Sequence, residues 1–149
     1  MVHDLYQETI LDHSKRPRNF HPMENATREA DGYNPLCGDK LKLFLKMDGD
    51  TVRDVSFVGS GCAISTASAS LMTETLKGKS REDALQLLEK FHQMLTTDKP
   101  AGKDLGKLVV FGGVREYPAR VKCASLAWHT MKNAVEARTE VAKTEEGAD

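Results

Sequence analysis

No Cys-x-x-Cys pair occurs anywhere in the chain, which excludes a zinc knuckle and a thioredoxin-type redox pair. No apolar run is long enough to cross a bilayer. The opening stretch, Met1-Val2-His3-Asp4-Leu5-Tyr6, lacks the basic region and apolar segment of a signal peptide. Neither sign of charge dominates: 21 Lys and Arg stand against 22 Asp and Glu, so no general field draws in nucleic acid. There is no internal repeat. Together these absences point to the cytoplasm, where thiols stay reduced, and to neither nucleic-acid nor membrane partners. What is present is 149 residues, 40% hydrophobic, enough for one domain with a real core. Residues 1–138 are expected to form that domain, and the polar stretch 139–149 a disordered tail.

Three cysteines cannot all pair within one chain. The plain reading is three buried cysteines acting as small hydrophobes. Their settings argue for chemistry. Cys37 lies in Asn34-Pro35-Leu36-Cys37-Gly38-Asp39, a turn-forming stretch with a carboxylate two positions on. Cys62 lies in Gly59-Ser60-Gly61-Cys62-Ala63-Ile64-Ser65, and Cys123 in Arg120-Val121-Lys122-Cys123-Ala124.

The intervening sequence suggests how these segments meet. Apolar residues at helical spacing predict an amphipathic helix from His3 to Ser14, stopped before Pro17. A polar edge strand is expected within 25–34. Alternation along Lys40–Met47 and Thr51–Val58, around Asp48-Gly49-Asp50, predicts an antiparallel hairpin. Such a hairpin returns the end of its second strand to the start of its first, so Cys37 and Asp39 should meet Cys62 at one edge. Ala63–Leu76 reads as a helix packed on the sheet and ended by Gly78, with Cys62 at its first turn. Backbone N–H groups and the helix dipole there favour a thiolate. Ser80 opens a capping box for a further helix. Thr96–Gly106 reads as a loop, and Leu105–Phe111 as a short apolar segment of undetermined type. The last helix should start at Tyr117-Pro118-Ala119 and carry Cys123 in its early turns. His13, His21 and His92 are read as structural or surface histidines. The order of elements implies an α+β fold: a small three-stranded antiparallel sheet with helices mainly on one face.

Three thiolates and a carboxylate suit tetrahedral zinc by type and number, and thiolates equally suit iron–sulfur clusters. The aspartate is the harder donor and makes one side of the site a candidate for exchange. A thiolate able to leave a metal is also a nucleophile, so Cys37 could take up sulfur as a persulfide. A zinc domain serving only as an interaction module is a further reading. It predicts unfolding on metal removal and no reactive thiol.

The same three segments, Asn-Pro-x-Cys-Gly-Asp, Gly-x-Gly-Cys-x-Ile-Ser and Lys-Cys-Ala-x-Leu-Ala-Trp, resemble the signatures of the NifU N-terminal/IscU family of iron–sulfur cluster assembly proteins. The likeness runs from Leu5 to about Val135 and includes His13 through Asn19. It implies the NifU-like α+β sandwich, with Cys37, Asp39, Cys62 and Cys123 at the active edge. It also implies either assembly of a 2Fe–2S cluster there, or zinc binding with sulfur accepted from a cysteine desulfurase. Lys122 stands where IscU has histidine. The Leu-Pro-Pro-Val-Lys motif that a chaperone recognises in IscU is absent from 97–103. The stretch between Cys62 and Cys123 is longer than in IscU. These departures are similar to the SufU branch, which implies zinc, a SufS-type desulfurase and iron–sulfur acceptor or carrier proteins as partners. Cys37 is then the implied sulfur acceptor of a sulfurtransferase, while Asp39, Cys62 and Cys123 keep the metal. Arg120 and Lys122 are candidates for steadying a sulfur anion or docking the partner.

Overall fold

The computed structural model describes residues 2–97, 103–136 and 142–143. The expected hairpin is its centre. Strand β2 (Asp39–Asp48) pairs antiparallel with β3 (Thr51–Ser60), with a register shift at Lys46/Met47. Strand β1 (Arg28–Asn34) pairs antiparallel with the other side of β2, from Arg28 opposite Leu45 to Asn34 opposite Asp39. The three-stranded antiparallel sheet is therefore as the alternation implied. One addition was not foreseen. A two-residue strand, β4 (Ala142–Lys143), pairs parallel with Gly32 and Tyr33, so β1 is not a bare edge. The rest of the polar stretch 139–149 lies outside the described residues, as do positions 98–102 of the expected loop.

Alternation decides which side of the sheet is covered. Leu41, Leu43 and Leu45 of β2 are buried, and opposite them stand Ala30, Val55 and Phe57. Helices α2 (Ala63–Leu76) and α4 (Pro118–Val135) pack on this face. Gly32 lets α4 come close to β1. A Cβ there would stand 2.2 Å from Thr130 Oγ1 and 3.2 Å from a Leu126 methyl. The opposite face carries the exposed or half-buried lysines Lys40, Lys42 and Lys46.

Helix α1 (Val2–Lys15) lies against α2. His13, expected to be structural, is buried and holds the two together: its Nδ1 is 2.7 Å from Ser70 Oγ. Helix α3 (Arg81–Thr96) starts at Ser80, whose side chain accepts from the Asp83 N–H. The undetermined segment proves to be 3-10 helical turns, Lys103–Glu116, kinked at Gly106. Leu105, Leu108, Phe111 and Val114 recur every third residue and are all buried, as three residues per turn require. Phe91 of α3 stacks on Trp128 of α4 at 4.7 Å and meets Phe111 edge-on, which closes the core on that side. No helix among the described residues is long and apolar enough to cross a membrane.

Candidate metal and sulfur site at the end of the sheet

The register places the site. Asn34 and Asp39 close the β1–β2 hairpin as its last pair, with Pro35, Leu36, Cys37 and Gly38 forming the loop. The Gly38 N–H donates to the Asn34 carbonyl at 2.8 Å and tightens that loop. Because side chains alternate, Asp39 falls on the same face as Leu41, Leu43 and Leu45, and Asn34 on the face of Ala30. Both are polar ends of apolar rows, and both are fully buried. Cys37, on the loop, is exposed, as is its neighbour Leu36.

The β2–β3 pairing brings in the second thiol. Lys40 opposite Ser60 puts Gly61 and Cys62 beside Asp39. A Cβ on Gly61 would lie 2.7 Å from Asp39 Oδ1, so only glycine leaves the carboxylate in place. Cys62 is the N-cap of α2. Its Sγ accepts from the Ser65 N–H at 3.4 Å, and its own N–H donates to Asp39 Oδ1 at 2.9 Å. The third thiol arrives from α4. Cys123 is only 2% exposed, with its Sγ 3.4 Å from Cys37 Sγ. It lies in the early turns of α4, as expected, and is buried because Gly32 admits the helix so closely to β1.

The donor atoms of Cys37, Asp39 and Cys123 all lie within 4.8 Å of one another. Cys62 stands just outside that triplet and is tied to it by two bonds, one to Asp39 through its backbone and one from the Cys123 thiol. The hydrogen bond from Cys123 holds the Cys62 thiol down to about 6, with help from the Ser65 N–H and against burial and the Asp39 charge. The same bond, together with burial, pushes the Cys123 thiol up. One proton is thus kept on the buried sulfur, and the half-buried sulfur at the helix N-terminus takes the charge.

Arg120 and Lys122 are not held together. Exposed Arg120 lines a hollow of about 550 Å³ with Ile10, Ile64, Val114 and Tyr117. Half-buried Lys122 lines another, of about 700 Å³, with His92, Arg115 and His129. The two basic side chains that precede Cys123 in sequence therefore line different sides of α4. Asn34 was read as the end of an edge strand and the first residue of the Cys37 segment, with no role in the site. Its side chain lies inside the cluster, donating from Nδ2 to Asp39 Oδ2 at 3.1 Å and to Cys123 Sγ at 3.5 Å. Its place opposite Asp39 in the hairpin was the available signal.

Residues 5–124, which span all four clustered side chains, match the family model of the NifU-like N-terminal domain. The chain belongs to that family. It is similar to the iron–sulfur cluster assembly scaffold protein IscU of Streptococcus pyogenes, 42% identical over 90% of this chain and 84% of that one. It is similar to the zinc-dependent sulfurtransferase SufU of Bacillus subtilis, 43% identical over 88% of this chain and 89% of that one. A crystal structure of a candidate iron–sulfur cluster assembly scaffold protein for the SUF system, from Fervidobacterium islandicum, superposes with a TM-score of 0.81. It is 38% identical over 91% of this chain and 99% of that one. As a NifU-like domain the chain is an iron–sulfur cluster assembly protein.

The NifU-like cluster also fits a metal ion. Tetrahedral zinc with sulfur arms of about 2.3 Å needs donors roughly 3.8 Å apart, and the Cys37–Cys123 separation of 3.4 Å is close to that. Each Asp39 oxygen accepts one N–H and keeps a further lone pair for an ion.

Proposed function

We propose that this chain is a zinc-dependent sulfur acceptor of the SUF type, taking sulfur at Cys37 from the persulfide of a SufS-type cysteine desulfurase. The observation that carries this reading is the contrast among the thiols. Cys37 alone of the three is exposed, on a loop, while Asp39 and Cys123 are buried and both accept from the Asn34 amide. Cys37, Asp39, Cys62 and Cys123 would hold the ion, which supplies the positive charge that keeps thiols deprotonated.

The transfer itself is an exchange at sulfur. The Cys37 thiolate attacks the outer sulfur of the desulfurase persulfide. The old S–S bond breaks, the new one forms on Cys37, and the desulfurase cysteine leaves as a thiolate. The persulfide proton stays on the transferred sulfur, and no external oxidant or reductant is needed. Arg120, beside Ile64 and the exposed Tyr117, suits partner docking. Lys122, which lines a separate hollow, would meet the partner from another side of α4. The product would pass to iron–sulfur acceptor or carrier proteins. Cys37→Ala is expected to abolish stimulation of the cognate desulfurase, measured as sulfide or alanine release. Full stimulation by that variant would overturn the acceptor role.

A second reading has its own support. Four donors at one solvent-open end of the sheet also suit a scaffold that builds and hands on a 2Fe–2S cluster. The IscU and SufU relatives are equally similar. Under this reading the oxygen donor is the exchangeable one, so Asp39→Ala should lengthen the lifetime of a reconstituted cluster, followed by its visible absorbance. An unchanged transfer rate to an acceptor counts against it.

A further inference from the structure

Asn34 is an expensive residue to bury. It is 0% exposed, and its Oδ1 has no hydrogen-bond partner. A buried carbonyl left without a donor is a cost that an apolar side chain of similar size would avoid. The compensation lies in its other atom. One Nδ2 with two hydrogens reaches both Asp39 Oδ2, at 3.1 Å, and Cys123 Sγ, at 3.5 Å. Those two side chains come from positions 84 apart in sequence, on β2 and α4, and Asn34 on β1 lies between them.

The same amide makes no bond to Cys37, which meets the cluster only through the Cys123 thiol. Cys62 is anchored separately, by its N–H on Asp39 and by the Ser65 N–H on its sulfur. Three of the four donors are therefore fixed by hydrogen bonds from the folded core, and the fourth sits on an exposed four-residue loop. We propose that Asn34 is the positioning residue that locks Asp39 and Cys123 as permanent donors, and thereby makes Cys37 the one that departs. This rests on the zinc-dependent sulfur-acceptor reading. It explains which donor leaves without giving Cys37 any special reactivity of its own. Hydrogen bonds to a donor atom orient it and tune its strength, and removing such a partner typically costs about 10–100-fold in metal affinity.

The test uses zinc affinity of the full chain, measured by competition with a chelating dye, in four proteins: wild type, Asn34→Leu, Cys37→Ser, and the double variant. Leucine keeps the volume and removes both the donor and the orphan carbonyl. Cys37→Ser stands for the state after Cys37 has left. Wild type and Cys37→Ser are expected to hold about one zinc each, because the remaining donors stay locked. Asn34→Leu should weaken zinc by about 10-fold or more, and the double variant by more than the product of the two single effects. Zinc affinity is compared below the unfolding midpoint of each metal-free protein, because Asn34→Leu leaves the buried Asp39 Oδ2 without that donor and should lower the midpoint. In cobalt-substituted protein the sulfur-to-metal charge-transfer band should move in Asn34→Leu, since the N–H on Cys123 is gone, a change that a purely packing role would not produce. If Asn34→Leu does not fold, Asn34→Ala removes the donor without adding apolar bulk. Zinc affinity within about twofold of wild type in the Asn34 variant, with an unmoved band, overturns the proposal and leaves the sulfur-acceptor reading standing. Failure of Cys37→Ser to hold zinc sinks that reading instead, and this inference with it.

Discussion

Cys62 and Cys123 divide one proton unequally, and the division follows from where each stands. Cys62 caps a helix, where the Ser65 N–H meets its sulfur, and the Cys123 thiol donates to it. In metal-free protein its alkylation rate should therefore rise through a midpoint near pH 6, the value to which its thiol is held. Cys123→Ala removes the largest cause of that lowering, so the midpoint should climb toward that of an ordinary thiol. Iodoacetamide labelling against pH, read by mass spectrometry at Cys62, checks both. An unmoved midpoint would mean that the helix N-terminus alone sets it. At this scale the sequence was informative about which side chains meet and silent about how they share protons. Strand alternation could place Cys37, Asp39 and Cys62 at one end, because that needs only local pairing. The burial of Cys123 depends on how close α4 comes to Gly32, a contact between residues far apart in sequence that no local pattern encodes.

Among the described elements, α1 has an attachment that responds to pH. His13 lies against α2, with Ser70 Oγ at 2.7 Å, and that same hydroxyl accepts from the Arg18 N–H at 2.8 Å. The hydroxyl hydrogen is thus available to His13 Nδ1, which accepts only when neutral. Burial holds the His13 pKa below 6.5, and Arg18 and Lys107 add to this, while Glu74 and Asp12 pull the other way. The unfolded chain consequently takes up the proton first as pH falls. The stability this clip contributes is complete above about pH 6.5 and is lost as pH falls below it. Ser70→Ala strands both His13 Nδ1 and the Arg18 N–H and should cost about 1–3 kcal/mol, read from denaturant unfolding at neutral pH. A wild-type denaturation midpoint that stays flat from pH 7 to about 5 would contradict the account. The helices α2, α3 and α4 were legible from caps, proline and apolar spacing, because each of those signals is local. The segment Lys103–Glu116 was not. Its apolar residues recur every third position, a period that fits neither a strand nor an α-helix, and Gly106 kinks it.

For the whole molecule, the core and the site are separable. Trp128, Phe91, Phe111, Leu43 and Leu71 are buried in a cluster built mainly of aliphatic and aromatic side chains, with Cys123 as its one cysteine and Cys62 packed against it. The metal-free chain is therefore expected to stay folded, unlike a domain built around structural zinc. Zinc should still stabilise it, by about 4 kcal/mol at a thousandfold excess over the dissociation constant. Circular dichroism with zinc and then with excess chelator checks both halves. Loss of the folded signal in chelator would favour the reading as a structural zinc module. The α+β layout was legible because strand and helix periods are written along each segment, whereas the short parallel strand β4 depends on a chain end meeting β1 from a distance. The spread of the four donors over the chain has a further consequence, in time. A chain made from its N-terminus presents Cys37, Asp39 and Cys62 long before Cys123, which arrives 61 positions after Cys62. During that interval a metal or sulfur species meets an incomplete set of donors with no helix over it. The finished constellation comes into being only when the last long helix docks, so a site with all four donors marks the arrival of α4 on the sheet.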